Sequence, residues 1–400
     1  MTEYKMMYDV AVVGAGPSGS TAARCCAEAG LSTILIEEHA AIGYPIQCAG
    51  LLSSAAFESC GVTRRCIQHT LTGATVYPSA GEPLCLDAGV PKAFAVDRGM
   101  LDREMTAMAV SAGAELMLKQ YARSFHQGVL DTIGASGACR IGAKIVIAAD
   151  GVRSPIARSL GLDSPIQILS GIQADIRHAS NEGIVEIYPH ASPDFFGWLI
   201  PIGGGRARIG LLGRDRVRER FVAFLHRFYR RHNTLTAIVT GALPLGARER
   251  TYADRVMLVG DAAGLAKPTS GGGVYTGVRS AMHAADVAVR CCELDRFDAS
   301  SLEIYEKRWK DDFGRELKLG MQLLEVRQSL REEEIDRAIS VLKEPELVRA
   351  ILEAGDMDRP SRLILTLMRH PGIYQLAGLA FMSGLRRFTD VLSPGFGRFP

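Results

Sequence analysis

The chain has 400 residues, a net charge of +2, and 47% hydrophobic and 22% charged residues. That length exceeds what one hydrophobic core serves and points to two domains or one composite domain. The near-neutral charge excludes the dense basicity of a nucleic-acid binder.

In chain order, the apolar run 8–13 leads into GAGPSG. Within that loop Gly14 permits a tight turn, Gly16 lets the backbone approach a pyrophosphate, and Gly19 lets helix and strand pack closely; Pro17 and Ser18 complete it. A helix is predicted over 21–29, ended by Gly30, then a strand over 32–36. Glu37, followed by Glu38, closes that strand where a carboxylate reaches ribose hydroxyls. This context makes a dinucleotide site but leaves nicotinamide and flavin both open. His39 and His69 read as surface residues with no carboxylate partner.

Alternating residues mark 72–77, and Met100, Leu101, Met105 and Met108 fall at helical spacing over 98–112. The apolar strand 144–149 is broken by Asp150 and Gly151. From about 166 the texture changes: 173–176, 183–188, 197–201 and 206–212 read as strands of an antiparallel sheet. The strand 256–259 runs into GDAAG, with Asp261 at its end, and a helix spans 273–292. From 302 on the pattern is helical, with apolar stripes that include Met321, Leu324, Leu363, Leu367 and Met368.

The nine cysteines lack C-x-x-C spacing, so no metal site is expected, and free thiols suit a reducing cytosol. The start of the chain carries no signal-peptide pattern. The apolar segment 374–385 is too short to cross a bilayer. With Arg386 and Arg387 after it, it reads either as an interfacial helix or as a surface helix end.

GAGPSG with Glu37, ADG at 149–151 and GDAAG at 260–264, in that order, resemble the FAD-dependent oxidoreductases with the aromatic-hydroxylase fold. The resemblance implies an α/β composite fold: a Rossmann-like FAD-binding domain, an interleaved antiparallel-sheet substrate domain and a helical C-terminal region. Residues 1–70, 98–165 and 251–295 are expected to bind FAD, 71–97 and 166–250 to form the substrate sheet, and 296–400 the helical region. It further implies that the first loop and Glu37 hold the ADP half of FAD and that Arg98 lies near the pyrophosphate. Asp261 is expected on the ribityl chain, and Gly271, Gly272, Gly273 and Val274 beside the isoalloxazine. Glu38, Cys48, Ala49, Gly50, Ala122, Asp150 and Gly151 complete the expected cofactor set. No second glycine fingerprint announces an NAD(P)H domain, so electrons come from transient NAD(P)H or a ferredoxin-like protein.

Within that superfamily the chain is most similar to the geranylgeranyl reductases. GYPIQCAGLLS at 43–53 resembles the family's segment with its Cys, here Cys48. SPDFFGWLIP at 192–201 resembles P-x-x-Y-x-W-x-F-P: Pro193, Trp198 and Pro201 match, while Phe196 replaces Tyr and Ile200 replaces Phe. KPTSGGGVYTG resembles the flavin loop, although archaeal lipid reductases often have Asp where Lys267 stands, and Lys267 is expected to bring a positive charge near the flavin. The implied reaction is saturation of isolated prenyl double bonds, with an archaeal digeranylgeranylglycerol-type phospholipid favoured. Cys48 is the candidate near the flavin's reactive face, as proton donor, redox partner or packing residue that positions the alkene, and Tyr44 is a candidate donor; Phe195, Phe196, Trp198 and Pro201 would wall an apolar substrate channel. The expected location is cytoplasmic, with peripheral contact at the membrane face.

Three alternatives stand beside this reading. A flavin monooxygenase or halogenase shares the fold, but Phe196 stands where halogenases have the first Trp of W-x-W-x-I-P. An electron-transfer flavoprotein would carry clustered C-terminal cysteines, and none follows Cys292. A bare FAD-binding module would leave the aromatic segment and helical tail without purpose.

Overall fold

A computed structural model describes residues 7–178, 183–228 and 235–370. Its centre is an eight-stranded sheet whose main path runs Tyr252–Ala253, Val256–Leu258, Gly137–Ala148, Met7–Val13, Thr33–Ile36 and Glu115–Met117. All neighbours on that path are parallel except the first pair. Val10–Val12, Ile34–Ile36, Ile145–Ala148 and Val256–Leu258 are fully enclosed. Continuous apolar runs are what a parallel sheet covered on both faces requires. Two further strands, Gln120–His126 and Val129–Gly134, form an antiparallel meander with the N-terminal half of Gly137–Ala148. That pairing explains why this strand starts seven residues before the expected 144.

The first helix is Pro17–Glu28, longer at its start than the sequence indicated because proline fits the opening turn. Gly30 follows it at φ +82°. The helix expected at 98–112 is Arg98–Ser111, and the Asp97 carboxylate caps it by accepting from the Met100 N–H at 2.9 Å. The long helix Val274–Leu294 packs on the first helix, where Gly260 and Gly277 leave room for Ser18: a Cβ at either would fall within 2.5 Å of its Oγ.

A seven-stranded sheet runs Leu235–Leu245, Gln167–Arg177, Arg206–Gly213, Gly197–Gly203, Ile184–Tyr188, Gly73–Val76 and Leu84–Asp87. Only Ile184–Tyr188 and Gly73–Val76 pair in parallel. Helix Val217–His226 covers one face, setting Phe221, Phe224 and Leu225 on Ala174, Ile176, Leu199 and Ile209. The opposite face carries Trp198, Ile200 and Ile202 toward Ala49 and Leu51. Between the sheets lies a small third one, Leu51–Ser53, Ala93–Val96 and Ile67–Leu71. Its strands are too short and too mixed for a period of two to have shown in the sequence.

The C-terminal helices are Ala299–Trp309, Arg315–Ser329, Glu332–Leu342, Pro345–Ala354 and Pro360–Leu367. Ile335 and Ile339 pack on Leu84 and so cover the edge strand of the seven-stranded sheet. Among the described residues no helix is long and apolar enough to cross a membrane, and no cluster of His, Cys, Asp and Glu is placed to hold a metal. The segment 374–385, with Arg386 and Arg387, lies outside the described residues.

Candidate active site

Gly14 sits at φ +97°, where a side chain would be strained, and a Cβ there would lie 2.4 Å from the Ala149 carbonyl oxygen. At Gly19 a Cβ would lie 1.7 Å from the Gly14 oxygen. Gly16, by contrast, faces open space, with nothing within 4 Å of a Cβ. It is the N-cap of Pro17–Glu28 and offers no side-chain cap, so the first N–H groups of the helix are left to an anion. The Glu37 carboxylate accepts from the Ala15 N–H at 2.8 Å, which holds it beside this loop. Its other oxygen takes the His39 N–H at 2.9 Å and faces His39 Nδ1 at 2.6 Å. That corrects the expectation that His39 lacks a carboxylate partner: two residues on, the chain turns the ring back onto Glu37. Glu38 is exposed.

The second and third signals adjoin the first loop: a Cβ at Gly14 would lie 3.3 Å from the Asp150 N, and one at Gly260 2.5 Å from Ser18 Oγ. Asp150 accepts from the Ile156 N–H at 3.2 Å through Oδ2, while its buried Oδ1 has no partner. Burial, partly offset by Ser154 and the Ile156 N–H, pushes its carboxyl up to about 6. Gly151, at φ +74°, again faces open space. Asp261 lies in the tight turn Gly260–Ala263, and a Cβ at Gly273 would fall 2.9 Å from its Oδ1. Burial raises it to about 6 as well, against the pull of Arg98. The long helix begins at Gly273, also without a side-chain cap. Glycines that clear a path, two uncapped helix starts and an orphaned carboxylate oxygen together fit a bound FAD. Gly14, Gly16, Glu37, Asp150, Asp261 and Gly271–Gly273 are the residues that would hold it. Val274 packs behind this loop with Val278, Phe94 and Leu101, and Ala122 is 3% exposed in the main core.

Arg98 joins these parts. It pairs with Asp102 at 3.0 Å on the first turn of its own helix. Its guanidinium also interacts with the Cys48 thiol and lies close enough to Asp261 to lower that carboxyl. Burial works against the Arg98 charge, but Asp102 and Cys48 hold its pKa above the ordinary value. Cys48 itself is in a clamped turn. The Gly50 N–H donates to its Sγ at 3.3 Å, Gln173 Nε2 donates to its carbonyl at 2.9 Å, and Arg208 donates to the Ala49 carbonyl at 2.8 Å. Arg208 is in turn paired with Asp175 at 2.8 Å. Gln173 and Arg208 were not singled out in the sequence, because their partners lie on other elements; Asp102 pairs four residues back on its own helix, and its role shows only once Arg98 is placed in the site. Tyr44 stands apart from this cluster at 73% exposure.

Phe195 and Phe196 stack with centroids 4.4 Å apart, and Trp198 meets Phe196 edge-on at 6.4 Å. Phe195 lies 3.5 Å from where a Cβ of Gly271 would be, so the aromatic segment abuts the glycine loop. The indole Nε1 of Trp198 is buried without a partner. Pro201 needs correction: alternation along Gly197–Gly203 sets it with Leu199, on the face away from Trp198. One arginine shapes the loop before that strand. Arg327 Nη2 donates to the carbonyls of Pro189, Ser192 and Phe195 at 2.5, 3.0 and 3.1 Å. Lys267 also differs from expectation: its ammonium is paired with Asp358, so it brings no free charge to the loop.

The FAD binding domain family matches residues 7–287. Digeranylgeranylglycerophospholipid reductase 2 of Methanothermobacter thermautotrophicus is 32% identical over 366 residues, covering 86% of this chain and 93% of that protein. A geranylgeranyl bacteriochlorophyll reductase-like protein of Thermoplasma acidophilum superposes with a TM-score of 0.83 at 27% identity, covering 93% of this chain and 99% of that one. p-Nitrophenol 4-monooxygenase of Pseudomonas putida shares the fold with a TM-score of 0.72 at 17% identity, covering 89% and 98%. The protein's cofactor is FAD. With three motif stations on one cofactor path and these relatives over most of its length, the chain belongs to the geranylgeranyl reductase family of FAD-dependent oxidoreductases.

Proposed function

We propose that the protein saturates isolated prenyl double bonds of a geranylgeranyl lipid, with a digeranylgeranylglycerol-type phospholipid favoured. The observation that carries this reading is the aromatic pair Phe195–Phe196, stacked 4.4 Å apart, with Phe195 3.5 Å from where a Cβ of Gly271 in the glycine loop would be. Reduced FAD supplies hydride from its N5 when bound. An unactivated alkene accepts hydride poorly unless a proton reaches its other carbon, and the chain must provide that proton.

In this reading Cys48 holds the proton at Sγ. The Gly50 N–H donates to that Sγ at 3.3 Å and holds it in place. Gln173 and Arg208 fix the backbone of that turn, so the thiol has little freedom to turn away. Phe195, Phe196 and Trp198 hold the alkene and keep water out. Tyr44, solvent-exposed, is the second candidate donor. Electrons come from NAD(P)H or a ferredoxin-like protein, and the protein works in the cytoplasm against the membrane face that holds its substrate. Support for the lipid comes from the relative named digeranylgeranylglycerophospholipid reductase 2.

The test is anaerobic turnover of the photoreduced protein with digeranylgeranylglycerol phospholipid, read by mass spectrometry. Mass gains in steps of two hydrogens are expected. Cys48→Ala should lower turnover by about 100-fold or more, the scale of a lost general acid, with FAD still bound. Oxygen uptake with a hydroxylated product, and no saturation under argon, would instead support a flavin monooxygenase.

A further inference from the structure

Lys267 and Asp358 are 6% and 3% exposed, yet carry opposite charges. Lys267 Nζ donates to Asp358 Oδ1 and to the Met357 carbonyl, the latter at 3.1 Å. Asp358 Oδ2 accepts from Ser53 Oγ, and that hydroxyl oxygen also caps helix Ser54–Cys60 by accepting from the Ala56 N–H at 3.0 Å. The pair thus ties together three stretches of chain: the glycine loop, the turn before Pro360–Leu367, and the small sheet.

The loop is wrapped around this lysine. The Lys267 N–H donates to the Gly272 carbonyl at 3.0 Å, and the Gly271 N–H donates to the Lys267 carbonyl at 2.8 Å. A Cβ at Gly272 would lie 3.1 Å from Lys267 Cε and 3.4 Å from Nζ, so the side chain runs directly beneath the Gly272 backbone. Pro268 presses on Gly320 of Arg315–Ser329, where a Cβ would come within 3.0 Å of the ring. Removing two charges from water costs several kcal/mol per ion, and the cost is recovered only where geometry and added hydrogen bonds are good. Here the added bonds tie the pair to the Met357 carbonyl and to Ser53.

We propose that Lys267, Asp358 and Ser53 form a positioning clamp for the flavin loop. The clamp fixes residues 267–273, the loop that would lie beside the isoalloxazine when FAD is bound. Asp358 cancels the lysine charge, so the loop N–H groups and the start of helix Val274–Leu294 set the electrostatics beside the flavin. This inference rests on FAD binding alone and is independent of the lipid reading.

The test uses the full-length FAD-loaded protein and three variants: Asp358→Asn, Lys267→Met, and the double variant Lys267→Met/Asp358→Leu. Flavin midpoint is read by equilibration with a reference dye, and FAD Kd by flavin fluorescence after deflavination. Asp358→Asn leaves a bare ammonium, and the dye equilibrium should move toward reduced flavin by about tenfold or more, within the cost of an unpaired buried charge. Lys267→Met should move it the opposite way. The double variant should restore the equilibrium to within about twofold but weaken FAD Kd about tenfold, since no lone charge remains and the clamp is gone. If Asp358→Asn does not fold, the double variant carries the test through its Kd. Unchanged dye equilibrium in both single variants with wild-type Kd in the double variant would overturn the proposal, even if all three melt earlier.

Discussion

Two glycine loops flank the cofactor path, and they are held in different ways. The first, Gly14–Gly19, is shaped by backbone crowding, Gly19 on Gly14 and Gly14 on Ala149, and by the Ala15 N–H on Glu37. The second, 267–273, is shaped by a charge pair whose halves lie 91 residues apart, with Pro268 against a helix from the C-terminal region. A loop fixed by its own backbone tolerates almost no change but needs no partner. A loop fixed by distant side chains can be altered in charge and position without touching a glycine.

This contrast can be broken most forcefully at Gly19. Gly19→Ala places a methyl 1.7 Å from the Gly14 oxygen and should yield colourless protein, the loop displaced at a cost of about 1–3 kcal/mol or more. Absorbance at the flavin band relative to protein measures it. A yellow variant with wild-type FAD content would show that backbone crowding does not govern the first loop.

Arg327→Met comes next, since it removes the donors of three carbonyls in the aromatic segment. It should destabilise the protein by about 3 kcal/mol, the scale of several buried acceptors left unpaired, and slow turnover while FAD affinity stays unchanged. Chemical denaturation and flavin fluorescence separate the two effects.

The carboxylates at the path make a pH prediction. Asp150 and Asp261 stand at about 6 in the folded chain against an ordinary 3.8, so the folded apoprotein holds more protons than the unfolded chain between those values. Their contribution is full below about pH 4 and is lost as pH rises through about 6, at most about 3 kcal/mol per group. Melting of the apoprotein across that window should be flatter in Asp261→Asn than in wild type. Equal slopes would show that the burial of Asp261 is relieved without cofactor.

The smallest effect is expected at Phe196→Tyr, which restores the family's hydroxyl beside Trp198. Stability should change by less than about 1.5 kcal/mol, with KM for the lipid shifting more than kcat. A large loss of kcat would mean that the ring touches the reacting carbons rather than the chain's wall.

What could be read in the sequence follows the same division. GAGPSG, Glu37, Asp150 and Asp261 were legible because glycine and terminal carboxylate positions are dictated by local backbone geometry, and the structure brings them onto one path. The strands of the main sheet were legible for a related reason: buried parallel strands are continuous apolar runs. The edges were less so. Strand Leu235–Leu245 escaped notice because it mixes Thr, Gly and Pro with aliphatics. Gln173, Arg208, Arg327 and Asp358 were invisible as site residues, since nothing in a sequence announces which carbonyl or ammonium a distant polar side chain will meet. Pro201 was misplaced for a simpler reason: a motif match does not say which face of a strand a residue occupies.

The arrangement at Arg327 also bears on how the chain comes together. The carbonyls it gathers belong to residues 132 to 138 positions earlier, so the aromatic stretch has no local means of reaching its final shape. Contacts of such separation form late, because a long stretch of chain must be ordered first. The wall of the pocket is therefore finished only when the tail docks, and a chain stopped before that helix would carry the nucleotide-binding loop but no completed slot for a greasy substrate.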